Sequence, residues 1–363
     1  MADIVLRGVS RVFNGIPAVD DITMTFPEGS VTCLLGPSGC GKTTLMRMIA
    51  GLDTPSSGRI LFGDRDVTAL PARKRNVAMV FQYPVMYRTL SVEQNIALPI
   101  RRDRSLDDAT RRQRIEDVMD MMQLQDCRDA FMHELDVGTR QRVAVARSIA
   151  RSCEVVLFDE PTTNVEVNAK LQLIRAFKAF RSRLRQTVVY VTHDQTEAMT
   201  LADRIALMQD GRVTQCAAPR TLYDRPESEF GGWFLGNPGM NFLDPAASRD
   251  GTISFDAVAA PFRAPPEGSD GVRLGIRPER VGIGTPDGPG VPGRVMRRTI
   301  TIGGQYLLLV EVGGATLRAR AAPGAPFRPG DDVSVLCPID HMAFFRHGHR
   351  LPDQPELLER GHP

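Results

Sequence analysis

A glycine-rich run between a strand-like and a helix-like segment constrains this chain more than any other feature. The apolar run Val31 to Leu35 leads into a loop with the sequence GPSGCGKT at residues 36–43, and Thr43 to Ala50 has a helical pattern that stops at Gly51. Glycines let consecutive backbone N–H groups point at phosphate oxygens, and the dipole of the following helix favours negative charge. The order strand, loop, helix therefore predicts a phosphate-binding loop.

Within this loop each residue type has a chemical reason. We expect Lys42 to neutralise the β- and γ-phosphates of a nucleotide, and the Thr43 hydroxyl to bind Mg²⁺. ATP and Mg²⁺ are thus the predicted cofactors. The residues predicted to contact ATP here are Gly36, Pro37, Ser38, Gly39, Cys40, Gly41, Lys42, Thr43 and Thr44.

Two acidic residues end a buried strand farther along the chain. The run 155–158 is wholly apolar and leads into Asp159 and Glu160. A nucleoside triphosphatase needs a carboxylate for the metal and a group that activates water. We expect Asp159 to hold Mg²⁺ through water and Glu160 to orient and deprotonate the attacking water, although two acids in this position alone equally fit a helix cap.

A histidine and a glutamine also follow strand-like runs. His193 comes after residues 190–192, where a ring nitrogen can reach the γ-phosphate, and Gln82 follows residues 80–81, where it can bridge Mg²⁺ and water. Either residue alone would more often be structural. Beside the loop at 36–43 they become candidate catalytic residues, and Gln82 also a candidate metal ligand.

Length and composition set the wider frame. A chain of 363 residues is long enough for two domains, and 42% hydrophobic with 24% charged residues is typical of a globular protein. A formal net charge of +2 gives no electrostatic footprint for nucleic acid, and the six scattered cysteines fit a reducing compartment. No apolar stretch approaches the roughly 20 residues that span a bilayer, so we expect membrane association only through a partner.

The pattern of the chain changes near residue 242. Before it, strand and helix signals alternate, with antiparallel strands over 4–35, a helical and charged subdomain at about 90–150, and a hairpin over 205–216 that turns at Asp210-Gly211. After it, short strands such as 306–312 and 332–336 lie between glycine and proline clusters. We predict an α/β nucleotide-binding domain over 1–241 and an all-β, barrel-like domain over 242–363, with a poorly ordered tail after about 347.

Taken together, these residues resemble the ATPase subunits of ABC transporters. The family's order is an aromatic A-loop, Walker A, Q-loop, signature, Walker B, D-loop and histidine switch, and each has a counterpart between residue 4 and about 242. The resemblance implies a P-loop NTPase fold, with a mixed sheet and a helical subdomain. It places Phe13 against adenine, although an aromatic residue in an amphipathic strand is more often core.

A subgroup resemblance is carried by residues 236–243, GNPGMNFL, and 275–279, GIRPE. Both runs are similar to maltose-type sugar importers, which have a C-terminal OB-like regulatory domain, dimerise around two ATP molecules and drive two transmembrane permeases. The permeases receive solute from an extracytoplasmic binding protein. The resemblance implies docking of permeases near Tyr83 to Leu90, although Val85 and Met86 equally fit core positions, and a location at the cytoplasmic face of the inner membrane.

The signature element departs from the family. In place of Leu-Ser-Gly-Gly-Gln the chain has Leu135, Asp136, Val137, Gly138 and Thr139. In the family this helix start faces the γ-phosphate bound by the opposite subunit. A carboxylate about 4 Å from a phosphate charge is repelled by roughly 4 kcal/mol at an intermediate dielectric. Alternatively Asp136 simply caps the helix and leaves Gly138 to make the close approach.

The D-loop departs as well, because Glu166 stands where the family has aspartate. The elements that act on this chain's own ATP are kept, whereas the one offered to a partner's ATP is altered. We therefore expect a heterodimer with a second ATPase subunit, a homodimer being the alternative.

The expected function is ATP hydrolysis that powers import of a carbohydrate or polyol. Ferric-ion and polyamine importers use related ATPases, and a mainly regulatory, weakly hydrolysing subunit is a further alternative. ABC-type ATPases of translation or DNA maintenance usually carry tandem ATPase units or long coiled-coil inserts, and neither pattern occurs here.

Overall fold

The computed structural model describes residues 2–83, 85–151, 153–163, 165–181, 186–249, 251–266, 268–301, 303–352 and 355–356. The chain divides into two units, one ending at Leu222 and one beginning at Tyr223. The division precedes the boundary that composition predicts near residue 242. Its physical reason lies in Arg277, whose buried guanidinium donates to the backbone carbonyls of Tyr223 and Gly232 at 2.8 Å. The helical segment before residue 242 is thereby bonded to the β-rich unit.

The strands of the first unit are β1 Ile4–Phe13, β2 Ile16–Phe26, β3 Val31–Leu35, β4 Ser57–Phe62, β5 Arg65–Asp66, β6 Val77–Val80, β7 Val155–Asp159, β8 Thr187–Thr192, β9 Arg204–Gln209 and β10 Arg212–Ala217. Among the described residues they form a four-stranded antiparallel sheet, β2-β1-β4-β5, and a six-stranded sheet, β10-β9-β3-β8-β7-β6. The larger sheet is parallel except for β10. It is therefore the mixed sheet that the resemblance predicts.

Helices follow several of these strands. They are α1 Lys42–Ala50, α2 Val92–Ala97, α3 Asp108–Met121, α4 Val137–Ala150, α5 Val167–Arg181, α6 Gln195–Leu201, α7 Pro219–Asp224 and α8 Glu229–Phe234. Three of them, α2 to α4, make up the predicted helical subdomain. Gly51 ends α1 in the left-handed conformation with φ of 75°, as the sequence predicts. The hairpin of β9 and β10 turns at Asp210 and Gly211, whose φ values are 48° and 80°.

The second unit is mainly β. Its strands are β11 Asn241–Leu243, β12 Ala247–Arg249, β13 Thr252–Ser254, β14 Phe262–Arg263, β15 Val272–Ile276, β16 Gly282–Gly284, β17 Val291–Ile300, β18 Tyr306–Val312, β19 Ala315–Ala321, β20 Asp332–Leu336, β21 Met342–Arg346 and β22 His349–Arg350. In the described part they form sheets of four, three and five strands, and the larger of two buried apolar clusters in this unit includes Leu274, Val310 and Phe344. The prediction of an all-β C-terminal domain is confirmed.

Part of the segment after residue 347 makes backbone hydrogen bonds to the β-rich unit. His349–Arg350 pairs with the end of β21, and the Glu356 carbonyl accepts a hydrogen bond of 2.8 Å from the Arg263 amide. These backbone bonds hold the segment although its composition is polar. The rest of the predicted tail, residues 353–354 and 357–363, lies outside the described residues.

Candidate nucleotide-binding site

The glycine-rich loop joins the end of β3 to the start of α1, as predicted. A Cβ on Gly36 would lie 2.3 Å from the Met208 carbonyl oxygen, and one on Gly41 would lie 2.2 Å from the Ala18 carbonyl oxygen. Gly41 also has a φ of 100°, which side-chain-bearing residues rarely adopt. Any larger residue at these two positions would push the loop away from its neighbours.

Lys42 turns its side chain back into the loop. Its Nζ donates to the carbonyl oxygens of Gly36 at 2.9 Å and Pro37 at 2.8 Å, and the residue is buried. Both acceptors are uncharged, so the ammonium keeps its full charge for an anionic ligand. The loop therefore combines backbone N–H groups with a fixed cation.

Asp159, the last residue of β7, lies against the first turn of α1. The Thr43 hydroxyl donates to its Oδ1 at 3.1 Å. Burial raises the pKa of the Asp159 carboxyl, and the adjacent charge of Glu160 adds to this, while the Thr43 hydrogen bond, Arg47 and Lys42 oppose it. A hydroxyl and a partly desolvated carboxylate side by side are the oxygen donors that Mg²⁺ prefers, so these two residues fit the predicted metal.

Glu160 and His193 meet at the carboxyl ends of β7 and β8, which are parallel neighbours. The distance from His193 Nδ1 to Glu160 Oε2 is 3.2 Å, and the Thr163 hydroxyl donates to the same oxygen at 3.0 Å. Glu160 has a φ of 44°, unusual for a side-chain-bearing residue, and its amide donates to the Val191 carbonyl at 3.0 Å. The structure thus holds the predicted base beside the predicted histidine.

The other two predicted ATP-site residues lie farther from this pair. Gln82 is half-buried and follows β6, but within the described residues it makes no direct hydrogen bond to Thr43, Asp159 or Glu160. Phe13 ends β1 with 44% of its surface exposed, and the Arg11 guanidinium lies 4.6 Å from its ring centroid. Phe13 is therefore not a core residue, and the Arg11 guanidinium lies over its exposed ring.

Asp136 is the N-cap of α4. Its two carboxylate oxygens accept from the Thr139 amide at 2.7 Å and from the Thr139 hydroxyl at 2.9 Å. The amide hydrogen bond is the main reason that the pKa of Asp136 is lowered. The cap hydrogen bonds of the second interpretation are present, and the repulsion of the opposite subunit's phosphate stays a prediction.

The start of α4 packs closely against the segment after β7. A Cβ on Gly138 would lie 2.6 Å from the Ala169 Cβ, whereas Val137 is exposed. Glu166 is also exposed, and its carbonyl accepts from the Lys170 amide at 2.8 Å in the first turn of α5. Asn164, in the middle of the predicted D-loop, lies outside the described residues.

The predicted docking segment exposes large side chains. Tyr83 is 70% exposed, Val85 68% and Tyr87 54%, so Val85 is not the core residue that its apolar side chain also suggested. Asn95 fixes the segment by bonding the amide and carbonyl of Tyr87, both at 3.1 Å. Pro84 lies outside the described residues.

One residue beside this site, Glu197, is not among those that the sequence analysis predicts. It lies in the first turn of α6, where acidic residues usually face solvent, yet it is fully buried. The nearest signal is Asp194, which caps the same helix and marks where its first turn begins. Burial of a helix residue depends on the segments packed against it, which local sequence does not specify.

The sheet, the loop and the acidic strand end define a P-loop nucleoside triphosphatase. Residues 19–163 match the family described as ABC transporter, and residues 274–345 match the TOBE domain. The chain belongs to the ATP-binding proteins of ABC transporters, and it is an ATP-hydrolysing subunit of an importer. The resemblance and the fold class drawn from the sequence are confirmed.

Several curated relatives carry this assignment. An sn-glycerol-3-phosphate import ATP-binding protein of Jannaschia sp. is 40% identical over 77% of this chain and 80% of its own length. A trehalose/maltose import ATP-binding protein of Thermococcus litoralis is 35% identical over 95% and 98%. An Fe(3+) ions import ATP-binding protein of Agrobacterium fabrum is 37% identical over 85% and 88%.

A solved structure agrees with the fold. The cbiO1 protein of Clostridium perfringens, part of an ABC transporter complex, superposes with a TM-score of 0.56 at 26% identity, over 60% of this chain and 89% of its own. Among the described residues, no helix is both long and apolar enough to cross a membrane.

Proposed function

We propose that this chain powers import of a carbohydrate or polyol, a class that includes glycerol-phosphate-like solutes. The observation that carries the proposal is the pair of contacts at the carboxyl ends of the parallel strands, where Thr43 bonds Asp159 at 3.1 Å and Glu160 lies 3.2 Å from His193. The solute class rests on relatives named for sn-glycerol-3-phosphate and trehalose/maltose import. The relative named for Fe(3+) import supports a ferric-ion importer as the second candidate.

In this proposal the loop binds the phosphates of ATP and Lys42 balances their charge. Thr43 and Asp159 would hold Mg²⁺, with Gln82 reaching it once ATP is bound, and Phe13 would stack on adenine. Bound Mg²⁺ would neutralise charge on the β- and γ-phosphates. Glu160 accepts the proton of the attacking water, and His193, 3.2 Å from Glu160, fixes the direction of the carboxylate.

The proposed partners are two permeases, a second ATPase subunit and, indirectly, an extracytoplasmic solute-binding protein. The exposed side chains of Tyr83, Val85 and Tyr87 support docking of permeases on residues 83–90, at the cytoplasmic face of the membrane.

The altered signature supports a heterodimer. The Asp136 cap stabilises α4, but it also places a carboxylate at the helix start that the family offers to the opposite subunit's ATP. A second subunit with a regular signature would complete the site over Lys42 and Glu160. We therefore expect cooperative hydrolysis when the two are mixed and little by this chain alone, and robust cooperative hydrolysis by the chain alone would contradict the heterodimer.

Glu160→Gln tests the catalytic part of the proposal. A general base contributes about 10²- to 10⁴-fold, so we expect hydrolysis by the assembled importer to fall by about 100-fold or more while MgATP still binds. The control is Glu116→Gln on α3, which removes a surface ion pair with Arg128 and should leave hydrolysis unchanged. Equal activity of Glu160→Gln and the parent would exclude Glu160 as the base.

Uptake by cells that lack the gene tests the solute class. Labelled sn-glycerol-3-phosphate, maltose, trehalose and ferric ion are supplied separately, and the gene is restored as the parent or as Glu160→Gln. We expect loss of uptake for a carbohydrate or polyol, restored only by the parent. Loss of ferric-ion uptake alone would favour the second candidate.

A further inference from the structure

A buried carboxylate lies behind the candidate site without touching the nucleotide loop. Glu197 in α6 has 0% of its surface exposed. An ionised carboxylate in the interior is strongly unfavourable unless donors satisfy its oxygens. The surroundings of Glu197 must therefore be built for a charge.

Four donors surround this carboxylate. Oε1 accepts from the Thr162 hydroxyl and from Lys170 Nζ, the latter at 2.7 Å. Oε2 accepts from the hydroxyls of Thr192 at 2.8 Å and Tyr190 at 3.1 Å. Burial and the charge of Glu197 keep the pKa of Tyr190 well above its usual value, so this hydroxyl remains a donor. Both carboxylate oxygens are thus satisfied.

These donors come from three separate segments. Thr162 lies in the turn after β7, Lys170 in α5, and Tyr190 and Thr192 near the end of β8. One side chain of α6 therefore bonds the turn, the helix and the strand to one another. Lys170 strengthens the junction by also pairing with Asp194 at 2.6 Å.

Both groups that touch the Glu160 carboxylate are next to this junction in sequence. Thr163, which donates to Glu160, directly follows Thr162. His193 lies between Thr192, a donor to Glu197, and Asp194, a partner of Lys170. The backbone on each side of the Glu160 carboxylate is therefore held through Glu197.

We propose that Glu197 is a positioning residue for ATP hydrolysis, which fixes the turn after Glu160 and the strand end at His193 relative to each other. This role rests on the proposed function, because it assumes that Glu160 and His193 act on the attacking water. Glutamine has the shape of glutamate, but its NH₂ group would face hydroxyl or ammonium donors. Glu197→Gln should therefore loosen the junction while the loop at 36–43 still binds ATP.

Amide hydrogen exchange of the full-length protein tests the positioning without any need for turnover. We expect Glu197→Gln to speed exchange about tenfold or more in peptides covering 160–163 and 192–196, and to leave peptides covering 31–50 unchanged. The control is Asp203→Asn, which should leave both segments unchanged, since the Asp203 carboxylate accepts from the Val31 amide at the amino end of β3, away from the carboxyl ends that hold Glu160 and His193. No change in the two segments, or an equal rise throughout the first unit, would overturn the proposal.

A pair of substitutions at Thr162 covers the case in which Glu197→Gln does not fold. Thr162→Val removes the hydroxyl donor with little change of shape, and Thr162→Ser keeps it. We expect only Thr162→Val to speed amide exchange in the two segments. In the assembled importer, Thr162→Val should lower kcat about tenfold and leave the KM for ATP unchanged, because small misplacements of catalytic groups act on kcat.

Equal effects of Thr162→Val and Thr162→Ser, or a change in KM alone, would contradict the role of the junction.

Failure of the proposed function would give a different result. In that case Glu160→Gln would leave hydrolysis unchanged, while the exchange data would still report on whether Glu197 holds the two segments together.

Discussion

At the scale of single residues, the buried carboxyl of Asp159 lowers the stability of the folded protein when it is ionised. Burial raises the pKa of its carboxyl above the ordinary value of 3.8. For an acid with a raised folded-state pKa, the ionised form costs folding free energy, so stability falls as the pH rises from 3.8 through the folded value. At neutral pH, Asp159 therefore destabilises the ligand-free protein, while its carboxylate lies beside Thr43, where the proposed function needs an oxygen for Mg²⁺.

Asp159→Asn should accordingly stabilise the protein without ligand and abolish its response to Mg²⁺. We expect the melting temperature at pH 7 to rise by a few degrees, since about 1 kcal/mol moves a unit of this size by roughly 2 to 4 °C. The gain should disappear toward pH 4, and MgATP should stabilise the variant much less than the parent. Thermal unfolding with and without MgATP measures both effects.

The control is Asp66→Asn, because hydrogen bonds from Thr68 lower the pKa of Asp66 instead of raising it. This substitution should give no gain at pH 7. A stabilised Asp66→Asn, or an Asp159→Asn protein that still responds fully to MgATP, would contradict the interpretation.

At the scale of helices and strands, the sequence predicts elements where local chemistry marks their ends. Gly51 ends α1, Asp210 with Gly211 turns the β9–β10 hairpin, and apolar runs ending in acids mark β7. Because neighbouring parallel strands end at one edge of a sheet, the meeting of Glu160 and His193 also follows from the sequence.

Buried charges are the part of the site and fold that the sequence does not disclose. Glu197 looks like an ordinary first-turn acid, and Arg277 looks like a surface arginine in the run GIRPE. Instead, Arg277 donates to the carbonyls of Tyr223, Gly232 and Leu235 and lies 4.0 Å from the Tyr223 ring. Some of their partners, such as Thr162 for Glu197 and Tyr223 for Arg277, are far away in sequence, so only the folded chain shows that these charges are buried and paired.

The cap hydrogen bonds of Asp136 at the start of α4 should contribute to the stability of the protein. Asp136→Ala should lower the free energy of unfolding by about 1 kcal/mol at pH 7, the usual cost of losing an N-cap, whereas Asp136→Asn should cost much less. The folded pKa of Asp136 is lowered, so its charge contributes stability above pH 3.8 that is lost as the pH falls through the folded value. Urea unfolding between pH 7 and pH 3 measures these differences.

Asparagine caps without titrating, so any advantage of Asp136 over Asp136→Asn should shrink toward pH 3. An alanine variant as stable as the parent at pH 7 would show that the Thr139 hydrogen bonds do not stabilise α4.

At the scale of the whole molecule, each of the two units has an apolar core of its own among the described residues. One lies between the sheets and α1 and includes Leu34 and Leu45, and the other lies within the β-rich unit and includes Val310 and Phe344. The change in composition near residue 242 predicts that there are two domains. It does not predict their division after Leu222, because the helical segment between these points is bonded to the β-rich unit by Arg277.

Each unit has its own apolar core, and the candidate ATP site lies in the first unit. We therefore predict two unfolding transitions, of which only the first responds to MgATP. MgATP at about 100 times its dissociation constant should stabilise the first unit by about 2.7 kcal/mol and leave the second transition in place. Phe344→Ala removes a ring whose centroid lies 5.0 Å from that of Phe262. It should lower the unfolding free energy of the second unit by about 3 to 5 kcal/mol without changing MgATP binding. Leu45→Ala is the reciprocal control and should lower only the melting temperature of the first transition.

Calorimetry of the parent and the two variants, with and without MgATP, measures these shifts. A single transition that shifts with MgATP and with both substitutions would show that the two units unfold as one.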